Sequence, residues 1–277
     1  MRPPSRRGMA RIGIYALLLG GAVLTLMPLA WMVSASFMPA GQANTFPPSF
    51  LPKEPTLEHY RELFLRLEIG RYFLNSALLA SAVTAISLLF NSMAGYAFAK
   101  LRFRGRDPLF RVLLGGLVIP VQVAMLPLFL MLKELGLVNT YGGVIVPAAA
   151  GIFGIFLVRQ YALGIPEDLL DAARIDGASE FRIYWSIVLP LCRPILTTLG
   201  IFTFLGVWND FMWPLIVLTD ADMYTLPVGL ANLVGEHVQD TELMMAGSVL
   251  TVLPVLVLFL ALQRYYIQGI MMGSVKG

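Results

Sequence analysis

The chain has 277 residues, of which 57% are hydrophobic and 13% are charged, and its mean hydropathy is +0.74. This composition excludes an ordinary soluble globular protein and predicts a protein that lies in a lipid bilayer. The single cysteine, Cys192, excludes an internal disulfide bond. The net charge of +3 favours a bias of Lys and Arg toward one side of the membrane over a nucleic-acid-binding patch.

Six apolar stretches are each long enough to cross a hydrocarbon core of about 30 Å, which needs about 20 helical residues. They cover residues 12–37, 72–99, 110–132, 141–163, 195–219 and 243–263. The Arg-rich segment before the first stretch is also typical of a signal peptide, but the apolar run is longer than usual there, which favours an uncleaved span. We therefore predict an all-α membrane protein with six transmembrane helices in a single domain, residues 1–277.

The basic residues are distributed unequally between the two sides of the membrane that these spans define. Fifteen Lys and Arg lie in the N-terminal tail, the loop after the second span, the segment between the fourth and fifth spans, and the C-terminal tail, whereas five lie in the other loops. Cytoplasmic segments next to membrane spans collect Lys and Arg. Both termini and the segment between the fourth and fifth spans are therefore predicted to be cytoplasmic.

The first four spans and their loops carry weaker signals. The first outer loop, residues 38–71, predicts a short amphipathic helix from apolar residues at helical spacing, namely Leu57, Tyr60, Leu63, Phe64 and Leu67. Four polar residues within the spans are candidates to line a passage, although such residues more often join helices by hydrogen bonds, namely Asn75, Asn91, Ser92 and Gln122. The pair Gly142-Gly143 permits close helix packing.

The segment between the fourth and fifth spans predicts two short helices joined by a turn. Pro166 suits the first helical turn, and Glu167 and Asp168 follow it where the helix dipole favours acidic residues. The first helix is predicted to end at Asp176, because Gly177 can enter a left-handed turn without a steric clash. Most of its residues are charged or alanine, so this helix is predicted to contact a partner protein rather than the chain's own core.

The second helix of this segment has a different surface. Ser179 is predicted to cap its first turn, and Pro190 is predicted to end it. An apolar stripe follows the helical period through Phe181, Tyr184, Trp185 and Val188. The second helix is therefore predicted to pack on an apolar surface.

The fifth span contains two polar residues, Asn209 and Asp210. Asp210 is about 15 residues into the span, or about 22 Å along a helix. A carboxylate facing lipid costs at least a few kcal/mol, so Asp210 is predicted to face a water-filled cavity or a partner. Aromatic faces beside hydrogen-bonding groups suit a sugar, and the neighbours are Trp208, Phe211 and Trp213. The alternative is a hydrogen bond between helices, or tryptophan anchoring at the membrane interface.

The sequence gives little sign of chemistry within this chain. A phosphate-binding loop of the form GxxxxGK[ST] does not occur. His59 and His237 are far apart and lack neighbours at the spacing of metal ligands. No nucleophile with a nearby base is found either. We therefore expect neither ATP binding by that loop, nor a metal site, nor enzymatic activity.

Several motifs resemble those of a known family. One set resembles the EAA loop of ABC importer permeases, with Asp171 in place of the usual glutamate: Asp171-Ala172-Ala173, Asp176-Gly177-Ala178 and Ile187-Val188-Leu189-Pro190. Two further stretches resemble the carbohydrate branch of these permeases, in particular the maltose-type second permease subunit: Trp208 to Pro214, and Gln263 to Gly277. The resemblance covers nearly the whole chain.

The resemblance implies a type I ABC importer permease fold with a cytoplasmic coupling helix in residues 166–190. Two separate ATPase subunits would contact this helix and bind ATP and Mg, so no cofactor is expected in this chain. The positions that match the coupling machinery are Asp168, Asp171, Ala172, Ala173, Asp176, Gly177, Val275, Lys276 and Gly277. The chain would then be a non-catalytic, multi-pass subunit in a prokaryotic inner membrane.

The resemblance also implies a second homologous permease chain, an extracytoplasmic solute-binding protein and membrane lipid as partners, with no nucleic acid. In similar permeases the last outer loop reaches into the cleft of the binding protein. The resemblance therefore implies that four residues of this loop contact the binding protein, namely Tyr224, Pro227, Asn232 and Glu236. The alternative is a solvated loop.

The implied substrate is a sugar, an oligosaccharide or a polyol, and the alternative is a glycerol phosphodiester or another small polar solute. Two other classes of protein remain as rivals. An ion-coupled secondary transporter would leave the cytoplasmic helices without a purpose, whereas a membrane scaffold would leave the polar fifth span unexplained.

Overall fold

The structure is a computed structural model that describes residues 6–65, 67–236 and 240–272. Every regular element within those residues is helical. The α-helices, numbered α1 to α14 in chain order, are Arg6–Ala35, Glu58–Leu65, Ile69–Lys100, Arg106–Gly115, Val121–Glu134, Tyr141–Ala148, Ile152–Ala162, Glu167–Ile175, Glu180–Ile183, Leu189–Leu191, Arg193–Trp208, Met212–Val217, Leu226–Glu236 and Thr241–Met272. Short 3₁₀ turns lie at Gly116–Val118 and Ala221–Met223, and a π-helical turn lies at Tyr184–Val188.

Among the described residues, four helical segments are long and apolar enough to cross a membrane, namely Gly13–Ala35, Ile69–Lys100, Tyr141–Ala162 and Thr241–Gln263. Two bent pairs pass the same criterion when each pair is taken together: Arg106–Val118 with Val121–Glu134, and Glu180–Leu191 with Arg193–Trp208. The chain therefore has four such spans, or six if each bent pair is one span. Many apolar side chains on these helices are exposed, as expected of surfaces that face lipid or another membrane chain.

The predicted third span is two helices rather than one. They meet at an angle of 106°, and the break is at Ile119 and Pro120, both of which have extended backbone angles. Proline has no N–H to donate, and its ring pushes the preceding residue out of the helical region. The sequence Ile119-Pro120 therefore interrupts an apolar run that is otherwise long enough for a continuous helix.

The prediction that Pro190 ends the second cytoplasmic helix is wrong. Helical structure continues from α9 through the π-helical turn and α10, and a bend of 78° separates it from α11. Pro190 lies in the first turn of α10, and the wider π-helical turn precedes it. A proline at the start of a helix loses no necessary hydrogen bond, and π-helical turns accommodate such irregularities. The bend comes two residues later, at Cys192.

The fifth predicted span, residues 195–219, is also interrupted. Helix α11 ends at Trp208, and α12 begins at Met212. The three residues between the two helices include Asn209 and Asp210, the polar pair that the sequence singles out. The polar residues are therefore at a helix break rather than inside a continuous helix.

Contacts within the chain divide it into two compact units, Met1–Ile69 with Leu230–Pro254, and Gly70–Gly229 with Val255–Gly277. The sequence interpretation of one permease domain stays a prediction. In the first unit, α2 confirms the amphipathic helix expected in the first outer loop, and its Leu63 is buried. The carboxylate of Glu242, which is fully buried, accepts a hydrogen bond of 2.7 Å from the Ala43 N–H. This contact fastens the turn after α1 to the first turn of α14.

Two of the hydrophobic clusters in the second unit lie next to the segments that the sequence singles out. The first is formed by buried residues of α3, α7 and the segment from α8 to α11, among them Tyr96, Ala162, Leu170, Ile183 and Val188. The second gathers residues around α5, α6 and α12, among them Leu79, Leu132, Val144, Trp213 and Val217. The first cluster anchors helices α8 and α9, and the second surrounds the break between α11 and α12.

Candidate functional site

Helix α8, the first helix of the predicted coupling segment, begins and ends within one residue of the positions that the local sequence signals predict. Pro166 precedes it in an extended conformation, and Glu167 and Asp168 occupy its first turn. At its end, Gly177 has a φ of 81°, a left-handed conformation that glycine adopts without a steric penalty. The Gly177 N–H donates to the Arg174 carbonyl, and the next N–H, of Ala178, reaches back to the Ala173 carbonyl at 2.9 Å. These two bonds form a Schellman motif, which fixes the direction of the chain after α8.

Ser179 caps α9 as predicted, because its hydroxyl accepts a hydrogen bond from the Arg182 N–H. The predicted apolar stripe is divided between two environments. Tyr184 and Val188 are buried in the first hydrophobic cluster. The rings of Phe181 and Trp185 are exposed and stacked, with centroids 6.1 Å apart. Only half of the stripe therefore packs on the chain itself.

Helix α8 exposes most of the residues that the sequence assigns to coupling. Leu170 is its one buried residue, Ala173 is half-buried, and the exposed ones are Asp168, Asp171, Ala172, Asp176 and Gly177. The side-chain carboxylates of Asp168 and Asp176 make no hydrogen bond or ion pair within the described part of the chain. Their carboxylates are therefore available to an external partner. Val275, Lys276 and Gly277 lie outside the described residues.

Asp171 is held differently from the other two acids. Its carboxylate accepts a hydrogen bond of 2.6 Å from Arg174, and Arg174 also donates to Glu180 at 2.8 Å. These hydrogen bonds, first to Glu180 and then to Asp171, raise the pKa of the Arg174 guanidinium above its ordinary value. Arg174 thus links an exposed acid of α8 to the first turn of α9.

An open cavity of about 990 Å³ lies beside α8. One wall carries the basic residues Lys100, Arg102 and Arg106, and the other wall carries the acidic residues Glu167, Asp171 and Glu180. The guanidinium group of Arg102 forms no ion pair or hydrogen bond with any described residue. The cavity therefore offers charges of both signs next to the exposed face of the helix.

The break between α11 and α12 holds Asp210 half-buried. Its Oδ1 accepts a hydrogen bond of 3.3 Å from the Trp213 N–H in the first turn of α12. Asn209 is exposed and donates to the Leu205 carbonyl at 2.8 Å, and Phe211 is half-buried. Asp210 therefore satisfies a backbone N–H that the helix break leaves free, and it keeps part of its surface accessible.

The two tryptophans beside this break are packing residues in the structure. Trp208 is 1% exposed and lies against Phe73 and Phe204, with ring centroids 5.4 Å and 5.9 Å away. Trp213 is buried, and its Nε1–H donates to the Gly143 carbonyl at 3.1 Å. Neither ring offers a face on which a sugar could stack in this conformation. A role in the substrate pathway stays a prediction for the whole stretch, namely Trp208, Asn209, Asp210, Phe211 and Trp213.

Asn91 is buried and joins two helices. Its Nδ2 donates to Ser87 at 2.8 Å, and its Oδ1 accepts from the Gly151 N–H at 2.9 Å. The side chain also fills the space in which a Cβ of Gly154 would lie. This geometry matches the helix-joining alternative. Gln122, by contrast, is exposed in the first turn of α5, directly after the bend at Pro120.

The last outer loop is largely helical rather than irregular. It contains the 3₁₀ turn Ala221–Met223 and the 11-residue helix α13, with Pro227 half-buried in the first turn and Asn232 exposed. Glu236 is the last residue of α13, and its side chain lies outside the described residues, as does His237. Tyr224 is half-buried, and its carbonyl accepts a hydrogen bond of 3.0 Å from Asn75.

Two asparagines fix this loop. The sequence interpretation names Asn75 as a passage-lining or helix-joining candidate, and it does not single out Asn139. Asn75 also donates to the Asp222 carbonyl, at 2.9 Å, and accepts from the Tyr141 hydroxyl at 2.8 Å. Asn139 has a φ of 58°, and its Oδ1 accepts the N–H groups of Thr219 and Asp220 at 2.9 Å and 3.0 Å. Asparagine tolerates the left-handed region better than most residues, so a polar residue between two spans was the available signal for Asn139.

Comparison with known proteins gives concordant results. Residues 91–271 match the family described as "Binding-protein-dependent transport system inner membrane component". Two similar permeases are the arabinooligosaccharides transport system permease protein AraQ of Halalkalibacterium halodurans, 42% identical over 92% of this chain and 93% of the relative, and the galactooligosaccharides transport system permease protein GanQ of Bacillus subtilis, 34% identical over 98% of each.

The fold also matches a solved structure. A chain of a bacterial ABC transporter involved in the import of the acidic polysaccharide alginate superposes with a TM-score of 0.84. The match covers 96% of this chain and 100% of that chain, at 24% sequence identity. At that identity the comparison supports the fold alone.

Proposed function

Because the chain belongs to the family of inner membrane components of binding-protein-dependent transport systems, we propose that it is the permease subunit through which an ATP-driven importer takes up an oligosaccharide. Members of this family are multi-pass membrane permeases and not enzymes, so the chain itself performs no chemical step. The observation that carries the proposal is an exposed, acidic helix α8 rigidly capped at its C-terminus, which offers a docking element for a separate motor protein.

The substrate class follows from the relatives. The two similar permeases described above are named for arabinooligosaccharides and galactooligosaccharides. A pathway for such a substrate needs hydrogen-bonding groups within the membrane, and Asn209 and Asp210 at the break before α12 supply an amide and a carboxylate. These features support an oligosaccharide over an apolar solute.

The proposed motor is a pair of ATPase subunits that bind ATP and Mg and receive α8 in a surface cleft. Asp168 and Asp176 are the carboxylates free to form ion pairs with such a subunit, and Ala172 and Gly177 allow close approach. The distribution of Lys and Arg predicts that both termini are cytoplasmic. That orientation would put α8 on the side of the membrane where ATP is present. Val275 to Gly277 would approach the same subunits.

A second permease chain and a solute-binding protein complete the proposed assembly. Helix α1 exposes apolar side chains along its length, among them Leu17 at 78% and Leu24 at 73%, and such a surface suits lipid or a homologous membrane chain. In the last loop predicted to lie outside the membrane, the exposed Asn232 of α13 is a candidate contact for the binding protein, together with Tyr224, Pro227 and Glu236.

The direct test is reconstitution of the chain with its ATPase, a second permease and the binding protein in vesicles. A panel of sugars is screened for stimulation of ATP hydrolysis and for uptake. We expect one or more oligosaccharides to raise ATP hydrolysis several-fold, and uptake to stop when ATP is removed. Uptake that continues without ATP would indicate an ion-coupled transporter, and stimulation by a glycerol phosphodiester alone would contradict the proposed substrate class.

Asp210 gives a prediction about the substrate path. Replacing Asp210 with alanine is expected to lower the affinity for the transported sugar or its uptake rate several-fold, because the substitution removes both the accessible carboxylate and the bond to the Trp213 N–H. Asp210→Asn is the matched variant, since an amide oxygen can still accept that bond. Loss of uptake in both variants supports a role for the charge. Unaltered kinetics across the sugar panel in both would leave Asp210 as a helix cap and contradict its place in the pathway.

A further inference from the structure

One face of α3 carries a polar stripe that the function described above does not use. Its members are Ser92, Tyr96 and Lys100, which lie four residues apart and therefore share one side of the helix. All three are buried, with exposures of 2%, 3% and 7%. Buried polar groups at helical spacing are costly unless each has a hydrogen-bonding partner.

Each member of the stripe has such a partner on the coupling segment. The Ser92 hydroxyl lies 2.7 Å from the Tyr184 hydroxyl in the π-helical turn. The Tyr96 hydroxyl donates to the Glu180 carboxylate, in the first turn of α9, at 2.6 Å. The three contacts, counting that of Lys100, join residues between 65 and 92 positions apart.

Lys100 makes the contact nearest to α8. Its Nζ donates to the Ile165 carbonyl at 2.6 Å and to the Glu167 carboxylate at 2.9 Å, and its side chain is 3% exposed. A buried ammonium group that loses its partners is strongly unfavourable, so this contact resists opening. The stripe therefore holds the coupling segment just before α8, at the start of α9 and in the π-helical turn.

The stripe also connects to the exposed surface of α8. Glu180 binds both Tyr96 and Arg174, and Arg174 binds Asp171. A continuous hydrogen-bonded chain therefore runs from an exposed carboxylate of α8 to a buried hydroxyl in the membrane span. Hydrogen bonds to charged groups are stronger and shorter than neutral ones, and these are between 2.6 Å and 2.8 Å.

Helix α3 is in turn packed closely on α7. A Cβ at Gly95 would lie 2.7 Å from the Cβ of Val158, so the two backbones are in direct contact at that point. Asn91 adds the hydrogen bond to the Gly151 N–H at the start of α7. Motion of α3 is therefore shared with the second half of the span that precedes the coupling segment.

From these contacts we propose that the α3 stripe is a separate mechanical link, through which movement of α8 reaches the second membrane span directly. Ser92, Tyr96 and Lys100 act as positioning residues in this link. The inference rests on the proposed importer function. It differs from transmission along the chain itself, which connects α8 to the spans immediately before and after it.

The test compares Tyr96→Phe with the wild type in the reconstituted assembly, measuring uptake per ATP hydrolysed. Phenylalanine keeps the ring and removes the one hydroxyl that binds Glu180. We expect ATP hydrolysis to persist while uptake per ATP falls about five-fold or more, as expected when a hydrogen bond to a charged group is lost. Thr84→Val is the matched control, because the Thr84 hydroxyl bonds only within α3, to the Ala80 carbonyl at 2.6 Å.

Lys100 provides a second pair of variants. Lys100→Met removes the donors and is expected to uncouple hydrolysis from uptake, whereas Lys100→Arg keeps a cation and is expected to recover at least half of the ratio. If Lys100→Met does not insert, the conservative Tyr96→Phe variant still decides the question.

The outcomes separate the two proposals. A wild-type assembly without sugar uptake would overturn the proposed function and the inference with it. If the wild type takes up sugar and Tyr96→Phe has the same uptake per ATP hydrolysed as the wild type, the inference alone is overturned. This holds whether uptake and hydrolysis are both unchanged or both fall in parallel. The same ratio loss in Thr84→Val would also overturn it, since any loss of a hydroxyl in α3 would then have the same effect.

Discussion

Gly177→Val is expected to abolish sugar uptake while the chain still inserts into the membrane. Gly177 has a φ of 81°, and a residue with a side chain in the left-handed region costs roughly 1–2 kcal/mol, more when it is β-branched. The turn between α8 and α9 would relax to another geometry, and α8 would point in another direction. A Cβ at this position meets no atom of the chain within 4 Å, so the backbone angle and the partner's approach, not an internal clash, cause the loss. Uptake assays on membranes with equal amounts of each variant measure the effect.

The matched control is Gly105→Val. Gly105 has a φ of 87°, no atom within 4 Å of its hypothetical Cβ, and a place in another loop that is predicted to be cytoplasmic. The backbone strain is therefore the same, but α8 is not affected, and uptake should stay within two-fold of the wild type. Gly177→Asn then separates backbone strain from obstruction of the partner's approach, because asparagine adds a side chain but tolerates the left-handed region. Normal uptake by Gly177→Val would contradict the coupling role of this turn.

Gly143→Ala is expected to destabilise the fold beside the second hydrophobic cluster. The added Cβ would collide with the backbone carbonyl oxygen of Leu137 and would lie 2.7 Å from the Cγ1 of Val217. A backbone atom cannot move aside as the end of a side chain can, so the helix itself must shift. Overpacking of this kind costs about 1–3 kcal/mol. The midpoint of thermal unfolding of the purified protein in detergent measures the loss.

The neighbouring glycine supplies the control for that experiment. A Cβ at Gly142 would lie 3.3 Å from the Cδ2 of Leu137 and from the Oγ1 of Thr140, both of which belong to side chains. Gly142→Ala should therefore leave the unfolding midpoint nearly unchanged. Equal effects of the two substitutions would show that helix propensity, and not the close approach at Gly143, determines stability here.

The local part of the coupling segment was predictable because its signals are short-range. Pro166, Gly177 and Ser179 act on backbone groups within a few residues, so the start of α8, its end and the cap of α9 follow from the sequence. Pro190 misled the prediction, because the effect of a proline depends on whether the preceding turn is wide enough to accept its ring. The π-helical turn that makes room for it has no short sequence signature.

Contacts between distant residues were not predictable from one sequence. Tyr96 and Lys100 look like ordinary residues at the end of a span, and their partners Glu180 and Glu167 lie 84 and 67 positions away. The polar pair at the break before α12 was found because a carboxylate in an apolar run is rare. The surroundings of this pair could not be predicted, because the burial of Trp208 and Trp213 depends on how α11 and α12 pack against their neighbours.

Because of the bend at Cys192, the helical segment before α11 lies across the direction of α11 instead of continuing it. The segment from Glu180 to Leu191 lies at 78° to α11, and its 12 helical residues extend about 18 Å. A rotation of about 10° around this bend displaces the far end of the segment by about 3 Å, by the same helix geometry. If a separate ATPase subunit moves α8, as we propose, a displacement of about 3 Å at that end therefore corresponds to a rotation of only about 10° at the bend.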